Sequence, residues 1–142
     1  MSATVRYQAV LLDLDGTMVD TIGDFVAAMN NTLEAVGCDG VPGEIVRTWV
    51  GRGGPHLINE ARLHAGLPES DLEVLRAGFY AHYGAINGQH SETFPGVDAG
   101  LAYWQDRGVR LACVTNKPEA HARALLKLKG LDAYFGDFVW GG

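Results

Sequence analysis

Three strand-like segments in this sequence are separated by very unequal distances. The first, over residues 7–14, contains the uncharged run Ala9-Val10-Leu11-Leu12, which predicts a strand buried on both faces; further strands are expected over 109–114 and 138–140. About seventy residues between the first two strands have helical spacing, which is too long for an ordinary crossover. The order of strands and helices therefore predicts a parallel sheet with right-handed crossovers and an inserted helical subdomain.

The expected helices follow the spacing of apolar residues and end at Gly- or Pro-marked joints. They cover residues 21–36, 42–50, 55–65, 69–86, 97–106 and 118–129. The predicted fold class is α/β. Residues 1–19 and 93–142 are expected to form a partial doubly wound parallel sheet, and residues 20–92 an all-helical insertion.

Composition and charge exclude several classes of protein. The 142-residue chain is long enough for one domain with a core, and its 47% hydrophobic and 20% charged content argues against disorder. The net charge of −6 disfavours nucleic acid as a partner, because binding a phosphate backbone needs a basic surface. No apolar run reaches the length of a membrane span, and the N-terminus lacks a signal-peptide pattern.

The two cysteines carry little functional signal. Cys38 and Cys113 fit no metal-binding or redox spacing. Cys113 lies in an apolar strand and is expected to be a small core residue. This use of cysteine favours a reducing, cytoplasmic location.

Two carboxylates follow the first strand directly. In Asp13-Leu14-Asp15-Gly16-Thr17, Asp13 and Asp15 are two residues apart, and side chains at this spacing in a strand point the same way, so the two carboxylates are expected to converge on one spot. Two like charges beside a core are costly unless a neighbour offsets them, and a bound divalent cation does so well. The alternative is an ordinary Asp-Gly turn, which needs only one Asp.

A second polar segment, Thr115-Asn116-Lys117-Pro118, follows the second strand of the sheet. Because parallel strands bring their C-terminal ends to one edge, Thr115 and Asn116 are expected to face Asp13 and Asp15. A hydroxyl and backbone N–H groups at the start of a helix can bind an anion, although a plain Thr or Asn helix cap is the alternative. The two segments together indicate phosphoryl transfer, with one carboxylate attacking phosphorus, the second moving a proton and Mg²⁺ offsetting charge.

These segments resemble a known family. Residues 13–20, Asp-Leu-Asp-Gly-Thr-Met-Val-Asp, resemble the first motif of the haloacid dehalogenase superfamily of phosphatases, and residues 114–118, Val-Thr-Asn-Lys-Pro, resemble its second motif. The core is thus expected to be of that superfamily's Rossmann-like type, and the helical insertion resembles its C1 cap. Residues 94–97, Phe-Pro-Gly-Val, and 51–55, Gly-Arg-Gly-Gly-Pro, are similar to segments of the phosphoglycolate phosphatase branch.

The resemblance implies roles for the residues that match the two motifs. Asp13 matches the nucleophile and a Mg²⁺ ligand. Asp15 matches the general acid/base, and its backbone carbonyl matches a second Mg²⁺ ligand. Thr115 and Asn116 match the phosphate-binding pair, and Lys117 is included with them as a substrate-binding residue.

The resemblance also implies that a loop of the cap closes over the substrate. Its expected substrate-binding residues are Gly51, Arg52 and Gly53. We expect Arg52 to meet a carboxylate of the substrate, because an Arg fork matches a carboxylate well, while a solvent-facing Arg in a Gly-rich turn is the alternative. Asp20 matches a position near the cap hinge and is assigned no chemistry; capping of the following helix is its alternative role.

The sequence departs from the family pattern after residue 140. The resemblance implies a lysine from a third motif and an acidic Mg²⁺ ligand from a fourth, and neither is present; Lys117 is one candidate to replace the lysine. The chain is therefore expected to be an N-terminal fragment of a longer phosphatase, with little activity alone. Its first strand would then be an exposed apolar edge.

The leading prediction is a Mg²⁺-dependent phosphatase that hydrolyses a small phosphomonoester, first of all 2-phosphoglycolate, through an aspartyl-phosphate. A phosphosugar mutase or a sugar-phosphate phosphatase of the same superfamily is the alternative. An alternative of another class is a non-catalytic fragment that associates through its exposed sheet edge. Expected partners are a small phosphorylated substrate, no nucleic acid and no membrane, with a homodimer left open.

Overall fold

The computed structural model describes residues 7–142, in which a block of consecutive helices separates the first two strands from the remaining three. They are β1 (Ala9–Leu12), β2 (Val19–Asp20), α1 (Ile22–Ala35), α2 (Gly43–Trp49), α3 (Gly54–His64), a 3₁₀ turn (Glu69–Asp71), α4 (Leu72–Ile86), β3 (Glu92–Thr93), α5 (Val97–Gln105), β4 (Arg110–Val114), α6 (Glu119–Leu128), α7 (Asp132–Phe135) and β5 (Val139–Trp140). The contacts divide the chain into two compact units. One contains the segment that ends at Asp20 together with Glu92–Gly142, and the other is Thr21–Ser91.

The first unit is built on a three-stranded parallel sheet in the order β1-β4-β5. Leu12 pairs with Cys113, and Cys113 pairs in turn with Val139, so the three strands end at the same edge. The chain moves across the sheet in one direction, from β1 to β4 to β5. The α/β fold class expected from the sequence is confirmed.

One face of this sheet is covered by helices. Its inward residues join side chains of α5, α6 and α7 in one core; they include Leu111, Cys113 and Val139 of the strands and Leu101, Leu125 and Phe135 of the helices. Right-handed crossovers that advance in one direction place their helices on the same face. The described residues therefore provide one helical layer of a doubly wound sheet.

The opposite face of the sheet is open within the described chain. Leu11 is 67% exposed, Trp140 is 51% exposed and Val114 is 43% exposed. For the described residues, the prediction that the first strand is buried on both faces is wrong, because α5, α6 and α7 cover only one face of the sheet and alternate residues of β1 face solvent on the other. The expectation of an apolar strand at an exposed edge describes it correctly.

A second, two-stranded sheet was not expected from the sequence. β2 and β3 are antiparallel, with Val19 opposite Thr93 and Asp20 opposite Glu92. The Phe94 N–H also donates to the Met18 carbonyl at 3.0 Å. This ladder joins the segment that enters the helical insertion to the segment that leaves it.

The second unit contains α1 to α4 around its own apolar core, as expected for an all-helical insertion. Phe25 of α1 stacks on Tyr83 of α4 with ring centroids 5.3 Å apart, and Tyr83 also stacks on Phe79. Asn30 fixes the loop after α1, because its side chain both donates to and accepts from the backbone of Val41.

The ends of this unit are tied together by a buried carboxylate. Asp24, in the first turn of α1, is fully buried. It accepts the N–H of Gly88 at 2.9 Å and the N–H of His90 at 2.8 Å. A Cβ at Gly23 would collide with the His90 backbone, so the two ends pass in close contact.

Most observed bounds differ from the expected ones by one or two residues. The larger differences are the helix predicted over 69–86, whose first three residues form the 3₁₀ turn so that α4 begins at Leu72, and α7, which was not predicted. Pro118 precedes α6 as its N-cap and is not its first residue. Asp20 lies in β2, and Thr21 occupies the N-cap position of α1. None of the described helices is long and apolar enough to cross a membrane.

Candidate active site

The Asp13–Asp15 segment is a tight turn after β1 and does not continue the strand. The Leu14 carbonyl accepts N–H groups from Thr17, Met18 and Val19 at 3.0–3.2 Å. Gly16, at φ 74°, supplies the left-handed conformation that the turn requires. Leu14 and Met18 are buried in the core beneath, at 0% and 1% exposure, so the turn is anchored from below.

The two carboxylates of this turn differ in exposure but share a neighbour. Asp13 is exposed, and its Oδ1 accepts the N–H of Leu14 at 2.7 Å. The Asp15 side chain is only 13% exposed. Burial raises the pKa of the Cys113 thiol to about 11, and the charges of Asp13 and then Asp15 add to this rise. Both carboxylates therefore act on the same point at the end of β4, although the convergence comes from the turn and not from strand alternation.

The loop after β4 is fixed by backbone hydrogen bonds to the segment Trp140–Gly142. The Thr115 N–H donates to the Trp140 carbonyl at 3.0 Å, and the Gly142 N–H donates to the Lys117 carbonyl at 3.1 Å. A Cβ at Gly141 would collide with the backbone of Lys117 and Glu119, so only glycine permits this approach. In the sequence, this role of Gly141 is indicated only by a Gly-Gly pair directly after a predicted strand.

Thr115 has a role within this loop. Its side chain is nearly buried, and its Oγ1 accepts the Lys117 N–H at 3.1 Å. Asn116 is exposed. The structure gives no side-chain cap to α6 among the described residues, so the alternative of a plain Thr or Asn helix cap is wrong.

Lys117 brings the two loops into direct contact. Its Nζ lies 2.9 Å from Asp15 Oδ1, and the lysine side chain is 2% exposed. Within the described chain this oxygen has no hydrogen bond of good geometry, so the contact is an ion pair and not a directed hydrogen bond. The charge of Lys117 also reaches His121 on α6, where burial first and this charge second lower the imidazole pKa. Sequence reasoning placed Lys117 with the substrate and missed its contact with Asp15.

The predicted cap residues lie in the other unit, in the loop between α2 and α3. Arg52 is exposed, and Gly51 and Gly53 have φ values of 106° and 89°. Gly53 is the N-cap residue of α3. The expected contact of Arg52 with a substrate carboxylate stays a prediction.

The donor set at the end of β1 suits a magnesium ion. Mg²⁺ binds oxygen ligands and typically takes one or two carboxylates, with water and substrate phosphate completing the set. Asp13 and Asp15 supply two carboxylates and the backbone carbonyl of Asp15, whereas the Leu14 carbonyl between them already accepts three N–H groups. The described residues contain no cluster of three or more His, Cys, Asp or Glu side chains, so an all-protein cage for a metal ion is not formed by them.

Known proteins are similar to this chain in sequence and in fold. A phosphoglycolate phosphatase encoded on a plasmid of Cupriavidus necator is 46% identical over 134 residues, which are 94% of this chain and 58% of that protein. The phosphoglycolate phosphatase of Neisseria meningitidis is 35% identical, over 99% of this chain and 62% of its own length. The crystal structure of a predicted phosphoglycolate phosphatase from Haemophilus somnus superimposes with a TM-score of 0.92 at 29% identity, covering 99% of this chain and 64% of that one.

This chain therefore spans about three-fifths of the length of these relatives. The profile of the haloacid dehalogenase-like hydrolases matches residues 7–142, and so includes both polar loops and the helical insertion. Because the match extends over nearly the whole sequence, the chain belongs to the haloacid dehalogenase-like hydrolase family.

Proposed function

We propose that the protein carrying this chain is a phosphatase that hydrolyses a small phosphomonoester, with 2-phosphoglycolate as its first candidate substrate. The observation that carries the proposal is the meeting of two loops at one sheet edge. The Asp13–Asp15 turn and the Thr115–Lys117 loop are joined by the 2.9 Å contact between Asp15 and Lys117. The names of the two similar sequences from Cupriavidus and Neisseria favour this substrate.

The roles follow from exposure and chemistry. Asp13 is the accessible carboxylate, so it is the proposed nucleophile, and attack on phosphorus would form an aspartyl-phosphate. Asp15, largely buried beside it, is the proposed general acid/base; it would protonate the leaving oxygen and then take a proton from the attacking water. Thr115 and Asn116 are proposed to bind the phosphoryl oxygens.

Asp13 and the backbone carbonyl of Asp15 are the proposed ligands of Mg²⁺. When bound, the ion would offset the negative charges of the nucleophile and the phosphate, which otherwise repel each other. In the cap, Gly51, Arg52 and Gly53 are proposed to contact the substrate. The free thiols Cys38 and Cys113 are compatible with the proposed cytoplasmic location.

A phosphate-release screen of the protein carrying this chain tests the proposal. We expect Mg²⁺-dependent release of phosphate, fastest from 2-phosphoglycolate, and a loss of about a thousandfold or more in kcat/KM for Asp13→Asn. Asp39→Asn is the matched control, because Asp39 is an exposed carboxylate in the loop after α1. No release from any phosphomonoester, or full turnover by Asp13→Asn, would refute the proposal. An isomerised sugar phosphate as product, without phosphate release, would instead identify a mutase.

The exposed edge of β1 in the described chain supports a second candidate, a non-catalytic fragment that associates through this edge. In the described chain β1 is an edge strand, and Leu11 on it is 67% exposed. We propose that a second copy pairs at this edge. Sedimentation velocity should then show a size that rises with concentration and falls in Leu11→Lys, whereas a monomer at all concentrations would exclude this function.

A further inference from the structure

Lys117 is a buried cation that forms an ion pair with Asp15. Its side chain is 2% exposed, and its Nζ lies 2.9 Å from Asp15 Oδ1. Removing an ammonium group from water is costly unless an opposite charge compensates it. By contrast, the side chains of the Arg76–Glu73 and Arg123–Glu119 pairs are between 40% and 81% exposed, where water screens their charges. Water screens the Lys117–Asp15 pair less than these exposed pairs, so the attraction between its two charges is stronger.

The backbone of Lys117 is fixed on both sides. Its N–H donates to Thr115 Oγ1, and its carbonyl accepts the N–H of Gly142, both at 3.1 Å. Because Gly141 has no Cβ, its backbone can lie directly against the backbone of this loop. The ammonium group therefore extends from a fixed origin and does not sample the surface as most lysines do.

The charged side chains of the site differ in how much of their surface is exposed to solvent. Asp13 is exposed, Asp15 retains 13% of its side-chain surface and Lys117 retains 2%. A phosphate that approaches from solvent reaches both carboxylates before it reaches the ammonium group. This order argues against Lys117 as a direct ligand of the substrate.

We propose that Lys117 is a positioning residue, which is more deeply buried than Asp15 and holds the Asp15 carboxylate in place through their ion pair. This inference rests on the proposed phosphatase function and replaces the substrate contact first expected for Lys117. It predicts that loss of the ammonium group slows the chemical step and leaves binding of the phosphate group nearly unchanged.

Steady-state kinetics of Lys117→Met in the full protein test this inference, with Lys127→Met, at an exposed position of the following helix α6, as the control. We expect kcat for 2-phosphoglycolate to fall at least tenfold, KM to change less than threefold, and the Kd of inorganic phosphate from calorimetry to stay within threefold. A tenfold rise in KM or in this Kd, with kcat preserved, would show that Lys117 is a ligand and overturn the inference. If the wild-type protein turns over no phosphomonoester, the proposed function fails first and the positioning role fails with it.

A thermal double-mutant cycle reports on the pair without any turnover. Lys117→Met leaves the Asp15 carboxylate without its counter-charge, so we expect a fall in Tm of more than about 5 °C. Adding Asp15→Asn removes that charge, and the double variant should recover at least half of the loss. Strictly additive Tm changes would show that the two groups are not coupled, which would also overturn the inference. If Lys117→Met does not fold while the double variant does, the coupling is shown directly.

Discussion

Replacement of Asp24 by alanine should destabilise the helical unit more than any surface change in it. The carboxylate is fully buried and accepts two backbone N–H groups, those of Gly88 and His90, at 2.9 and 2.8 Å. A hydrogen bond to a charged group contributes about 1.5–3 kcal/mol, so the two bonds together represent about 3–6 kcal/mol. Gly88 is buried but His90 is exposed, so water can replace part of the second bond. We therefore expect Asp24→Ala to lower the free energy of unfolding by about 3–4 kcal/mol.

Asp24→Asn separates the two contributions. Its amide oxygen can still accept one N–H, but its NH₂ group faces the other, so a loss of about 1.5–2 kcal/mol is expected. Asp39→Ala, an exposed change in the same unit, should stay within about 0.5 kcal/mol of wild type. Urea unfolding at pH 7 measures all three values.

Hydrogen exchange gives an independent measure of the same contact. The amides of Gly88 and His90 should lose protection in Asp24→Ala, while the α2–α3 amides lose less. A loss of stability below about 1 kcal/mol, with both amides still protected, would refute the assignment of Asp24 as the group that ties the two ends of this unit.

The other predictions concern the edge of the sheet where the two polar loops meet. Gly141→Ala should lower the free energy of unfolding by about 1–3 kcal/mol, because the new Cβ meets the backbone of Lys117 and Glu119. Gly100→Ala is the control: this helical position in α5 has open space around it, so the substitution should raise the free energy of unfolding by about 0.5–1 kcal/mol. Equal changes in the free energy of unfolding of the two variants, measured by chemical denaturation, would contradict this prediction. Cys113 should resist iodoacetamide at pH 8 in the folded protein and react on unfolding, while half-buried Cys38 reacts first; reaction at equal rates would contradict its burial. Because folding raises the Cys113 pKa from 9.0 to about 11, the folded state binds more protons than the unfolded state between these two pH values. The contribution of this thiol to the free energy of unfolding is therefore complete below pH 9 and is lost as the pH rises towards 11. Cys113→Ala should remove that part of the slope.

The sequence predicted those parts of the candidate site whose residues lie close together along the chain. Asp13 and Asp15 are close in sequence, as are Thr115 and Asn116, and the order of parallel strands is enough to bring the ends of β1 and β4 to one edge. The residues that hold these loops are less visible. Nothing about Lys117 alone indicates whether its ammonium group faces solvent, substrate or Asp15, because that depends on the backbone bonds to Thr115 and Gly142.

Non-local contacts account for what the sequence did not reveal. β2 and β3 contribute two residues each, too few for a periodic pattern, and their partners are separated by the whole helical insertion. Asp24 resembles any acidic residue in a first helical turn, since its partners are backbone N–H groups that carry no sequence signature. The apolar run of β1 predicted burial on both faces, but an apolar sequence does not specify whether a second layer covers it.

The β2–β3 ladder holds the two ends of the helical insertion together, so the insertion connects two paired strands as the turn of a hairpin does. Asp20 and Glu92 lie opposite each other on this ladder, so their Cα atoms are about 5 Å apart whatever the chain does between them. Because the entropic cost of closing a loop grows only slowly with its length, Thr21–Ser91 could be lengthened, shortened or exchanged for a two-residue hairpin turn with little effect on the pairing of the strands. The pairing of β2 with β3 therefore makes the register of the strands that lead to the two carboxylates independent of the length and sequence of the insertion.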